Sequence, residues 1–141
     1  MSKTKSKNKN KTSSSTKKSG KKILIVDDDQ DILVSVGQIL EKEGYEVVCA
    51  EGGKQCFEYL EAGEKPDLIL LDIMMPLMSG WNVHEELKSK KDWKNIPIVF
   101  LTARGTDTAK EMCLKRGCGY IKKPFKVENL KEKVRDFLDK K

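Results

Sequence analysis

An open, doubly wound α/β domain is the fold class this sequence predicts, on three observations. Short unbroken apolar runs at 23–26, 68–71 and 96–101 are rich in branched residues and do not alternate with polar ones, the pattern of strands buried on both faces. Between such runs the apolar spacing changes to that of amphipathic helices. Strand and helix then alternate five times, which calls for a parallel sheet with right-handed crossovers and helices on both faces.

The first strand is 23–26, and Ile32, Val36, Ile39 and Leu40 form one stripe of the helix after it. Gly44 stands where that helix should stop, ahead of a weaker strand at 45–50 and a helix over 54–62. Pro66 precedes the third strand, 68–71, and a helix is predicted over 82–90. Within it His84 stands beside Glu85 and Glu86 and is expected to face solvent. Pro97 lies at the start of the fourth strand, 96–101, and the next helix, 107–116, should end at Gly117. A short strand at 119–121 leads to a last helix carrying Leu130, Val134, Phe137 and Leu138 on one stripe.

At 141 residues the chain has room for one domain with a real core. Its net charge of +6 is uneven: residues 1–22 hold nine lysines and no acid, which leaves the other 119 residues at −3. Residues 1–21 are Lys- and Ser-rich with no apolar residue after Met1, so they are predicted to be a disordered tail ahead of a domain at 22–141. The tail has neither the apolar run of a secretory signal nor the arginines of a transit peptide. No stretch approaches the roughly 18 apolar residues of a membrane span. A soluble, cytoplasmic protein is expected. Cys49, Cys56, Cys113 and Cys118 form no Cys-x-x-Cys pair and stand with a single histidine, so reduced, mostly buried thiols are expected rather than a zinc site.

Each strong strand runs into chemistry at its carboxyl end, where ligands of open α/β sheets bind. Strand 1 runs into Asp27, Asp28 and Asp29, strand 3 ends at Asp72, strand 4 ends at Thr102, and strand 5 is followed by Lys122, Lys123 and Pro124. Singly these read as a helix cap, a strand end and a solvated lysine pair. Together they place three carboxylates in one crevice, where they raise one another's pKa unless a cation intervenes. Oxygen donors without Cys or His point to Mg²⁺.

The strings ILIVDDDQDI, PDLILLDIMMPLMSGW, IPIVFLTA and GYIKKPF resemble the response-regulator receiver family, in its order and at similar spacing, over residues 22 to about 140. The likeness is to single-domain, chemotaxis-regulator-like members, and it implies a five-stranded sheet in the flavodoxin-like order 2-1-3-4-5. It implies that Asp27 and Asp28 bind Mg²⁺, that Asp72 is the phosphoacceptor and also touches the metal, and that the backbone carbonyl of Met74 is a further ligand. Thr102 and the N–H of Ala103 then contact phosphoryl oxygens, Lys123 pairs with another, and Thr102 with Tyr120 forms the switch. Asp29 begins the first helix, Lys122 faces solvent, and Pro124 matches a proline preceded by a cis peptide bond. Between Gly117 and Tyr120 the chain is one residue shorter than the commonest family spacing, which predicts a tightened turn into strand 5.

The implied function is a two-component phosphoacceptor, phosphorylated on Asp72 by a histidine kinase or phosphotransfer protein. It would promote its own phosphorylation and dephosphorylation. With no output domain expected after Lys141, the signal is expected to leave through a protein partner on the face of helix 4, strand 5 and helix 5, or by onward phosphoryl relay. A Mg-dependent phosphatase or phosphotransferase with an Asp nucleophile is the main rival. Such enzymes tend to need a second acid two residues past the nucleophile and a cap or insertion; position 74 is Met and no insertion is present. Nucleic-acid binding through the tail would be weak and salt-sensitive, since the tail has no aromatic residue for stacking.

Overall fold

The computed structural model describes residues 20–103 and 106–139; most of the expected tail, 1–19, lies outside them. Five strands and five helices alternate: β1 Lys22–Val26, α1 Gln30–Lys42, β2 Glu46–Ala50, α2 Gly53–Glu61, β3 Leu68–Leu71, α3 Gly80–Ser89, β4 Ile98–Thr102, α4 Asp107–Lys115, β5 Gly119–Lys122 and α5 Val127–Asp139. All pairings are parallel, and the strand order is β2-β1-β3-β4-β5, the expected 2-1-3-4-5.

The unbroken apolar runs resolve into two faces, because successive strand residues point to opposite sides of the sheet. Ile23, Ile25, Leu68, Leu70, Val99 and Leu101 pack against Leu33, Val36 and Leu40 of α1 and Leu130, Val134 and Leu138 of α5. Leu24, Val26, Ile69, Leu71, Ile98 and Phe100 pack on the other side with residues of α2, α3 and α4. Hence every position of such a run must be apolar.

Element ends follow local chemistry. Asp29 caps α1, its side chain accepting from the Asp31 N–H. Helix α3 starts two residues before its expected position because Ser79 and Asn82 form a reciprocal capping box. Gly44 and Gly117 do end helices, in the left-handed region at φ 95° and 76°. The shortened turn into β5 is tight: Gly117 N–H donates to Leu114 O, and Cys118 N–H to Cys113 O. Strand β4 starts later than the apolar run does and ends, as expected, at Thr102, which pairs with Lys122 of β5. Cys56, Cys113 and Cys118 are buried free thiols, and Cys49 is exposed.

One expectation is overturned. His84 is only 5% exposed, not solvent-facing. Gly80, Val83, His84 and Leu87 form the buried stripe of α3, and the acidic neighbours that suggested solvent belong to its outer side. Burial first, then the Arg116 and Lys88 charges, lower the His84 pKa from 6.5 to about 4. Between those values the unfolded chain holds a proton that the folded chain lacks, so this contribution is complete above pH 6.5 and lost as pH falls toward 4. His84→Phe should therefore reduce the loss of stability between pH 7 and pH 5 by about 2 kcal/mol. Urea unfolding of both proteins at each pH checks this, and an unchanged pH difference would refute it.

Candidate functional site

The sheet ladder itself carries the polar residues into one crevice. Asp27 N–H donates to Ala50 O at 3.0 Å, Asp72 N–H to Val26 O at 3.0 Å, and Lys123 N–H to Thr102 O at 2.8 Å. Each residue just past a strand is thus held by the neighbouring strand's end. The crevice lies where the chain, having placed β2 on one side of β1, crosses to place β3 on the other, the switch point of the topology.

There Asp27, Asp28 and Asp72 each offer a carboxylate oxygen within 4.8 Å of the others. Asp27 and Asp72 are buried and Asp28 is exposed. Lys123 Nζ lies 2.7 Å from Asp27 Oδ2 and 3.6 Å from Asp72 Oδ2. The Asp29 N–H donates to the other Asp27 oxygen at 2.9 Å. Asp27 therefore has both oxygens engaged. Even so its pKa is raised: burial is the main cause, the bonds from Lys123 and Asp29 oppose it, and the Asp72 charge adds to it. Asp72 is held more loosely, with Oδ1 accepting from the Met74 N–H at 3.3 Å.

Thr102 is fully buried at the end of β4. Ala103, exposed, follows it. Tyr120, half-buried, packs on the cluster that holds Phe100, and its backbone is in register with that residue. The Met74 side chain is 55% exposed, and its backbone N–H is bonded to Asp72. Lys122 is exposed while Lys123 turns inward, and the Lys123–Pro124 bond is cis.

Sequence reasoning missed Gly80. Its N–H donates to Ile73 O at 2.8 Å, and a Cβ built on it would lie 2.2 Å from the Asp72 carbonyl oxygen and 2.8 Å from Ile73 Cα. The first turn of α3 thus rests directly on the peptide that follows Asp72. Only the glycine eight residues past Asp72, just ahead of the helical stretch, hinted at it.

A parallel doubly wound sheet with three carboxylates and one ammonium at its carboxyl edge has the layout of a two-component phosphoacceptor switch. The family model for the response regulator receiver domain matches residues 23–135, and the chain belongs to that family. Among relatives, the alkaline phosphatase synthesis transcriptional regulatory protein PhoP of Bacillus subtilis is 37% identical over 119 residues, covering 84% of this chain and 48% of that protein. The transcriptional regulatory protein CpxR of Escherichia coli K12 is 36% identical over 118 residues, covering 83% and 49%. The chain spans about half the length of these curated relatives. Among solved structures, a CheY-like receiver domain protein from Methanospirillum hungatei superposes with a TM-score of 0.76 at 36% identity, over 86% of this chain and 95% of that one. Chemotaxis protein CheY4 of Vibrio cholerae gives 0.77 at 28% identity, over 84% and 99%. The protein is a receiver domain of two-component signalling. Among the described residues no helix is long and apolar enough to cross a membrane.

Proposed function

We propose that Asp72 takes a phosphoryl group from the phosphohistidine of a cytoplasmic histidine kinase or phosphotransfer protein. One observation carries this reading: Asp72 stands between two further carboxylates and a lysine ammonium, yet its own oxygens are the less engaged. In the transfer the phosphorus–nitrogen bond breaks as a bond from an Asp72 oxygen to phosphorus forms, and positioning and charge stabilisation supply most of the catalysis.

Three carboxylates facing one ammonium leave negative charge in excess, and their donors are all oxygens, which suits Mg²⁺. Asp27, Asp28, Asp72 and the Met74 carbonyl would hold it, and the bound ion would offset charge on the phosphoryl oxygens. Lys123, already 2.7 Å from Asp27, has only to turn from that carboxylate to a phosphoryl oxygen. The Thr102 hydroxyl and the Ala103 N–H would donate to others. As Thr102 turns toward the phosphoryl group, Tyr120 follows into the space, and the face of α4, β5 and α5 changes for a protein partner. Water attack on the acyl phosphate resets the switch. Residues 1–21 take no part in this reading beyond weak attraction to polyanions.

Incubation with acetyl phosphate and Mg²⁺, followed by peptide mass spectrometry, should place one labile phosphoryl group on Asp72. A stable adduct elsewhere would overturn the assignment. Asp28→Ala should weaken Mg²⁺ binding at least about tenfold by removing a hard ligand from an exposed position, as read by titration. Unchanged affinity would shift the ligand role to Asp29.

A further inference from the structure

A cluster of Arg116, His84 and Trp81 against Phe100 has no part in the roles assigned so far. Arg116, the C-cap of α4, places Nη1 3.0 Å from Nδ1 of buried His84 on α3. A guanidinium can only donate, so Nδ1 carries the lone pair and His84 is the Nε2–H tautomer. That Nε2 is buried with no hydrogen-bond partner among the described residues. The same guanidinium lies over the Trp81 ring at 5.1 Å. Trp81 and His84 both pack on Phe100, with ring centroids 5.0 and 5.9 Å from it.

Phe100 sits two residues before Thr102 on the same face of β4, and its register partner on β5 is Tyr120. The two switch positions therefore flank the ring that the cluster grips. Helix α4 buries only Ala109 and Cys113, whereas α1 buries Leu33, Val36, Gly37 and Leu40. A helix with so small a share of the core moves at low cost. At its C-terminal end the Arg116 side chain reaches α3, at His84 and Trp81.

We propose that Arg116 is a positioning residue, a latch that holds the end of α4 against His84 and Trp81 in the resting domain and so biases the switch toward its unphosphorylated arrangement. The inference rests on Asp72 being the phosphoacceptor. If the latch exists only in the resting arrangement, it lowers the free energy of that arrangement alone, and a phosphoryl group must overcome it. Removing it therefore tightens binding of any phosphoryl mimic by the factor the latch contributed. His84 fits the role of a dedicated acceptor: buried on α3, it has Nδ1 bonded to Arg116 and Nε2 without a partner among the described residues.

The test is titration of the domain with beryllofluoride in Mg²⁺ at pH 7.5, followed by amide shifts, for wild type, Arg116→Ala, His84→Phe and the double variant. Both single variants should bind at least about fivefold more tightly. The double variant should gain no more than either single, because the two changes remove one contact. A merely structural contact would lower the melting temperature of Arg116→Ala and leave beryllofluoride affinity where it was. His84→Phe keeps the aromatic packing and removes the unpaired nitrogen, so it separates the two roles even if Arg116→Ala folds poorly. Equal or weaker affinity in a folded single variant overturns the latch. Absence of beryllofluoride binding by the wild type would instead overturn the Asp72 assignment beneath it.

Discussion

Asp72→Asn should lose phosphorylation from acetyl phosphate by more than about a thousandfold, the scale on which enzymes lose rate when a nucleophile is removed. The amide has the same shape but no charge to direct at phosphorus. The fold should survive, because the Asp72 backbone bond to Val26 O is untouched and the Lys123 ammonium keeps its 2.7 Å contact with Asp27. Taking one charge from the cluster should also bring the Asp27 pKa down toward its usual range, since the Asp72 carboxylate is one of the influences that raise it. Labelling kinetics and carboxyl chemical shifts during a pH titration check the two halves separately. Labelling at the wild-type rate would remove Asp72 from the mechanism.

Gly80→Ala should be the most damaging single-methyl change near the site. The added carbon would meet the Asp72 carbonyl oxygen at 2.2 Å, the Asp72 carbonyl carbon at 2.9 Å and Ile73 Cα at 2.8 Å, all of them backbone. No flexible side chain is there to yield, so either α3 lifts from the sheet or the Asp72 peptide moves. Overpacking of this kind typically costs about 1–3 kcal/mol. The functional loss should be larger than that figure suggests, because displacing a nucleophile by about 1 Å can cost on the order of a hundredfold in rate. Chemical denaturation and acetyl phosphate labelling measure the two effects. A variant with wild-type stability and rate would show that the α3 contact does not position Asp72. By contrast, at Gly37 the nearest atom to an added Cβ is a Val47 methyl at 3.6 Å, ordinary contact distance, so alanine there should be tolerated.

The strand order could not be read from periodicity. Apolar runs at 23–26, 68–71 and 98–101 are buried on both faces, and a run buried on both faces does not say which neighbour it pairs with. Order 2-1-3-4-5 came from the resemblance of four strings, and the pairings of β1 with both β2 and β3 bear it out. His84 was misread because two adjacent glutamates outweighed the weaker signal of Gly80, Val83 and Leu87 at helical spacing. Thr102 was expected at the carboxyl end of the fourth strand, and it is the last residue of β4, paired with Lys122.

By itself the sequence determined which chemical groups stand at the ends of strands. Strand ends are marked locally, by the change from apolar to polar and by the caps that follow, as at Asp29. That was enough to bring Asp27, Asp28, Asp29, Asp72, Thr102, Lys122 and Lys123 to one edge of the sheet, and the resemblance chose among them. What only the tertiary structure decided is how far each of them is already engaged. Lys123 contacts Asp27 across 96 positions of chain, and Arg116 reaches His84 across 32. Such partners are chosen by strand order, helix rotation and the room left by Gly80, none of which is written in the residues on either side of the contact. A local sequence signal reports what a residue can do, whereas the distances between remote residues decide which of those capacities is in use, and they exist only once both faces of the sheet are packed.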